Sequence, residues 1–148
     1  GSRGSVSLAS TDTLADPLVD FRYFSHPDDM PTMVAGLRRI DRIMKTPTMS
    51  RRIKRDLLTA HCSTDADWAE FARNRAGTVY HPVGSCRMGS DPSDAVVDAR
   101  LRVHGLQGLR IIDSSIMPCI VGGNTMAPTI MIAEKGVDML RQDIRGTA

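Results

Sequence analysis

His81 lies in the run Tyr80-His81-Pro82-Val83-Gly84-Ser85-Cys86-Arg87-Met88-Gly89, and imidazole is the one side chain whose ordinary titration falls near neutrality. Pro82 fixes its own φ and drives His81 toward extended geometry, while Gly84 and Gly89 permit tight turns or close approach by a ligand. A histidine on so rigid a segment suits general-base work; the alternative is a hydrogen-bonded structural histidine. A second constellation, Val121-Gly122-Gly123-Asn124-Thr125-Met126-Ala127-Pro128-Thr129, leads a glycine pair into a helix. Asn124 or Thr125 is its N-cap, and Pro128 sits in the first turn, where a missing N–H is harmless. Such a junction offers N–H groups and a positive dipole end to an anionic or electron-rich group, although many helices entered through Gly-Asn bind nothing.

Cysteine beside histidine raises zinc, but His61-Cys62 and the His81/Cys86 pair do not supply four ligands at a recognisable spacing. Cys86 as a nucleophile with His81 as its base lacks an orienting third residue. Cys119 reads as packing and His104 as a satisfied structural histidine at a strand end.

The elements that position these residues are partly readable. Val6 and Leu8 alternate with small polar residues in Gly4–Ser10, and Pro17–Phe24 is a second strand-like stretch. His26-Pro27-Asp28-Asp29 opens a helix whose stripe is Met33, Leu37, Ile40 and Met44, and Thr46-Pro47 closes it. The basic stretch Ser50–Leu58 reads as a solvated helix face, since no aromatic residues interleave its charges. Ser63-Thr64-Asp65 caps a short helix carrying Trp68, Phe71, Ala72 and Arg75. Beyond residue 78 glycines and prolines multiply, with Ala95-Val96-Val97 and Leu109-Arg110-Ile111-Ile112 as buried short strands. The last helix, about Thr125–Arg141, carries the stripe Met126, Ile130, Ala133, Val137 and Leu140.

A chain of 148 residues holds one or two small domains, and 41% hydrophobic with 24% charged residues is ordinary globular usage. Lys plus Arg number 19 against 17 Asp plus Glu, so nothing electrostatic points to nucleic acid or an anionic membrane. No apolar run approaches the roughly 20 residues of a bilayer span. Three cysteines argue against a disulfide framework and favour a reducing, cytoplasmic setting. The first residues, Gly1-Ser2, include no Met, and a fragment of a longer chain is expected.

Three pieces in order carry a resemblance: YHPVGSCRMG, then VVDARLRVHGLQGLRIIDSSIMP, then GGNTMAPTIMIAEK. Together they resemble the C-terminal signature of the glucose-methanol-choline family of flavin oxidoreductases, and the last looks nearest its choline-dehydrogenase-like branch. Residues from Arg3 through the first helix are similar, more loosely, to that family's substrate-binding region. The resemblance implies an α+β chain cut from an α/β parent. Residues 1–77 would be part of the substrate-binding domain, with an antiparallel sheet and helices; residues 78–148 would be the C-terminal strands and helix of the FAD-binding domain.

It further implies oxidation of a primary alcohol to an aldehyde, with hydride passing to flavin N5 and the hydroxyl proton to His81. Asn124 matches the second catalytic position, and Tyr80, Asp113 and Ser114 match positions lining FAD. Thr125 and Met126 match the segment whose backbone meets the flavin's pyrimidine edge. Ser85 stands where the family commonly has Thr, and Met126 replaces a frequent Asn. The GxGxxG unit for the ADP half of FAD is absent here, so the expected partner is the N-terminal FAD-binding portion of the same protein. Two other readings stay open: a hydroxynitrile lyase on the same scaffold, and a non-catalytic binding module.

Overall fold

Alternation at Val6 predicts a strand, and a short one forms. In the computed structural model, which describes residues 1–146, β1 (Ser5–Ser7) pairs antiparallel with β2 (Leu18–Asp20), setting Val6 opposite Val19. Both strands are exposed along their whole length, so this hairpin adds nothing to a core. The chain divides into two units at Gly77/Thr78. The expected 78–148 segment ends on Thr147 and Ala148, which lie outside the described residues.

In the first unit α1 spans Asp29–Met44, entered through Asp28, with Asp29 in its first turn and Arg42 in its last complementing the dipole. Its buried side differs from the predicted stripe. Val34, flanked by Met30 and Leu37, packs on Cys62 and Trp68, while Met33, Ile40 and Met44 are exposed. The helix has apolar residues on two faces, and the indole of Trp68 covers only the one that includes Val34. Burial pushes the Cys62 thiol above its ordinary pKa, as fits a packing residue.

Thr46 is extended before Pro47, and α2 is one turn, Pro47–Ser50. The helix expected across Ser50–Leu58 does not form. Asp56 accepts from the Leu58 and Thr59 N–H groups at 2.9 and 2.8 Å, a local turn that competes with the helical ladder.

α3 spans Asp65–Arg75 and packs on α1, its start closed by a capping box. The Thr64 hydroxyl accepts from Asp67 N–H at 3.2 Å, while Asp67 accepts from the Thr64 and Ser63 N–H groups at 2.7 and 2.8 Å. The Thr64 and Ser63 N–H groups hold the Asp67 carboxyl well below the usual carboxylate range. A carboxyl with its folded pKa lowered contributes stability above its unfolded value of about 4 and loses it as pH falls further. Amides at the start of α3 should therefore lose protection in hydrogen exchange below about pH 4, after correction for intrinsic rates. Asp67→Asn should show weakened protection at neutral pH and little further loss in acid; an acid response equal to the parent's would disprove the box as its source.

The second unit is built from irregular segments laid on one helix. Ala95–Val97 and Leu109–Ile112 form single bridges, not strands: Met88 pairs with Val97, Val97 with Val103, and Arg102 with Arg110. Intervening turns at Gly105 and Gly108, both with φ +75°, keep these ladders from extending. Val97 is fully buried with Leu101, Ile116, Met117 and Ile132.

α4 runs Met126–Gly146, five residues longer than expected at its C-terminal end. Its buried residues are Ile132 and Gly136, with Met139 partly covered, whereas Met126, Ile130, Ala133, Val137 and Leu140 are exposed. The helix is apolar on more than one side, and closeness of approach chose the side. A Cβ at Gly136 would overlap the Ile112 side chain, so only glycine lets α4 settle there. Near its C-terminal end Asp143 receives ion pairs from Arg100, at 2.5 Å, and from Arg110. Among the described residues no helix is long and apolar enough to cross a membrane.

Candidate active site

The His81 segment is fastened to the core by its backbone. Cys86 N–H donates to the Ser115 carbonyl at 3.0 Å and Met88 N–H to that of Ile116 at 2.8 Å. Gly84 turns at φ +86° with its Cα hard against the Met117 carbonyl, where a Cβ would sit only 3.2 Å from that oxygen. The turn Ser114–Ile116 is a single 3₁₀ turn capped by Asp113, whose carboxylate accepts from Ser115 N–H at 2.7 Å. α4 packs on this same turn. One small core therefore carries both the histidine segment and the start of the last helix.

There the two motifs meet. His81 Nδ1 lies 3.1 Å from Thr125 Oγ1, both residues being half-buried. Thr125 occupies the cap position of α4, and its carbonyl accepts from Thr129 N–H at 3.0 Å and from Thr129 Oγ1 at 2.6 Å. The sequence pointed to Thr125 as a possible N-cap and for its backbone at the flavin; its hydroxyl as the partner of His81 was missed. The available signal was Pro128 three positions after a threonine cap.

The other predicted site residues are placed less tightly. Asn124, next to Thr125, is exposed, as is Met126, at 70%. Tyr80 is 84% exposed and left-handed, at φ +59°. That conformation costs a side-chain-bearing residue about 1–2 kcal/mol, and the Tyr80 N–H donates to Thr78 Oγ1 at 3.0 Å. Ser114 is half-buried in the 3₁₀ turn, and the Asp113 carboxylate is engaged in capping it. His104 donates from Nε2 to the Gly89 carbonyl at 3.0 Å, the expected structural role. Among the described residues no group of three or more His, Cys, Asp or Glu is placed to hold a metal ion.

Residues 1–133 match the C-terminal domain family described as GMC oxidoreductase. The chain belongs to the GMC oxidoreductase family. It is 46% identical over 140 residues to an alcohol dehydrogenase [acceptor] of Pseudomonas putida, covering 94% of this chain and 25% of that protein. To oxygen-dependent choline dehydrogenase 1 of Chromohalobacter salexigens it is 48% identical over 142 residues, covering 95% and 25%. The chain thus spans about a quarter of the length of these relatives.

Two solved structures have the same fold. Pyridoxine 4-oxidase from Mesorbium loti superposes with a TM-score of 0.88 at 31% identity, over 94% of this chain and 27% of the other. An FAD-dependent oxidoreductase from Chaetomium thermophilum gives 0.89 at 28% identity, over 97% and 25%. The helices with one small antiparallel sheet are therefore a portion of the GMC oxidoreductase fold.

That family implies a flavin, and the donor set here suits its ring system. The N–H groups of Met126 and Ala127 have no partner within the helix, and they stand at the positive end of α4 beside the His81 imidazole. N–H donors at a helix start match the electron-rich pyrimidine edge of a flavin. No glycine-rich phosphate loop accompanies them in this sequence, so the fit extends to the ring end alone.

Proposed function

We propose that this chain is the catalytic C-terminal portion of an FAD-dependent alcohol oxidoreductase that converts a primary alcohol to an aldehyde. Residues 1–77 belong to its substrate-binding domain and residues 78–148 to its FAD-binding domain. One observation carries the reading: two motifs separated by 44 residues converge on the His81–Thr125 contact at the start of α4. The names of the P. putida and C. salexigens relatives supply the class of substrate, an alcohol or choline.

Bound FAD supplies the hydride acceptor. Everything else falls to residues of this chain. His81 takes the hydroxyl proton of the alcohol, so negative charge does not build on oxygen as the carbinol C–H bond breaks. Asn124, the neighbour of Thr125, offers an amide to the same oxygen. The start of α4 stabilises electron-rich groups placed against its N–H donors, and Tyr80, Asp113 and Ser114 help to enclose the flavin. Without the nucleotide-binding unit, the 148 residues alone turn nothing over.

The test uses the full-length protein without oxygen, with choline, 1-butanol and benzyl alcohol as probes. Bleaching of the flavin absorbance by at least one of them, with one aldehyde formed per flavin, is expected. Cyanohydrin cleavage with an unbleached flavin would replace the oxidoreductase by a lyase.

A further inference from the structure

We infer that the Thr125 hydroxyl fixes the aim of the His81 ring through Nδ1, and that Pro128, which offers no N–H three positions into the helix, favours that use of the hydroxyl. The inference rests on the reading of His81 as the base and names the residue that makes it one.

A threonine at a helix cap ordinarily accepts through its hydroxyl from the N–H two or three positions into the helix. Thr64 does so at the start of α3, accepting from Asp67 N–H at 3.2 Å. At the start of α4 the corresponding position is Pro128, which has no N–H. The Thr125 hydroxyl makes its contact with His81 Nδ1 instead, at 3.1 Å. Thr125 itself is fixed, because its carbonyl accepts from both the N–H and the hydroxyl of Thr129. The hydroxyl therefore reaches the ring from a pinned backbone.

A neutral imidazole has one N–H and one lone pair. The form a base needs here is the tautomer whose Nδ1–H donates to Thr125 Oγ1, which places the lone pair on Nε2. Proton transfer then breaks the alcohol O–H bond and forms Nε2–H, leaving an imidazolium whose Nδ1–H still donates to Thr125. Without the hydroxyl, Nδ1 loses this partner and the ring is free to turn. Thr125 is thus a positioning residue: it acts through His81.

The experiment compares Thr125→Val, Thr125→Ser and Pro128→Ala in the full-length flavoprotein. Rapid mixing with an alcohol that reduces the parent should show the limiting rate of flavin reduction in Thr125→Val down about 10- to 100-fold, a part of the ~10²–10⁴ a positioned base supplies. The alcohol dissociation constant should change by less than about threefold, because the residue acts on proton transfer and not on uniform binding. Thr125→Ser should recover most of the loss. Pro128→Ala, which restores an N–H that competes for the hydroxyl, should lower the rate with Thr125 intact.

A second readout needs no turnover. Diethylpyrocarbonate should modify His81 once in the parent and in Thr125→Ser, and twice in Thr125→Ala, where the covering atom is gone and Nδ1 is uncovered; peptide mass mapping distinguishes the two. Parental rates in Thr125→Val with single labelling in Thr125→Ala would overturn the inference, as would equal losses in the Val and Ser variants. If His81→Ala is slow while Thr125→Val is not, only the role of Thr125 falls; if His81→Ala is as fast as the parent, the base reading falls as well.

Discussion

Replacing His81 by alanine in the full-length protein should slow alcohol-driven flavin reduction about 10²- to 10⁴-fold, the range a positioned general base contributes. The effect belongs to the limiting rate. The alcohol still has its site, so its dissociation constant should stay within a few-fold, the signature of an interaction made in the transition state. His81→Ala should also retain its flavin, because the segment is held by the backbone bonds of Cys86 and Met88 and not by the imidazole. Stopped-flow reduction under nitrogen measures both quantities at once. A variant that reduces at the parental rate with full flavin content would remove His81 from the chemistry.

Trp68→Ala should produce the largest loss of stability, about 3–5 kcal/mol, because the indole leaves both its transfer free energy and a cavity behind. Trp68 is 3% exposed, meets Phe71 edge to face at 6.1 Å between ring centroids, and covers Val34 and Cys62 between α1 and α3. Little else in the first unit can compensate. Its other buried residues are Val34, Cys62 and Ala72, and the β1–β2 hairpin is exposed. The opening free energy of α3 amides, from native-state hydrogen exchange, should fall by that amount, and Trp68→Phe should lose less. A loss below about 1 kcal/mol in the alanine variant, well under the roughly 2–5 kcal/mol of large-to-alanine core series, would show that the indole is not what holds α1 and α3 together.

The helices were legible in the sequence because their ends are chemical. Asp28-Asp29 opened α1, Thr46-Pro47 closed it, and Thr64 with Asp67 opened α3. Their faces were not. Spacing identified Met126, Ile130 and Val137 as the buried stripe of α4, yet those residues are exposed and Ile132 with Gly136 is inside. A helix with apolar residues on several sides has no single stripe, and what selects among them is close approach to Ile112, which lies far away in sequence. The same reason applies to Met33 and Val34 on α1.

In the site, His81 and the glycine-led start of α4 were legible as separate motifs. Their contact was not, because it depends on a shared 3₁₀ turn at Ser114–Ile116, whose packing against both segments no local pattern reveals. Thr125 was visible as a possible cap, but its contact with His81 Nδ1 is a tertiary one that no spacing within the helix reveals.

The 44-residue separation between His81 and Thr125 also ties their contact to the condensation of the core between them. Closing so long a loop is entropically unfavourable until the intervening core has condensed. A chain in which α4 has not seated leaves His81 Nδ1 without its hydroxyl partner, so that one contact reports on the folding of everything between the two motifs.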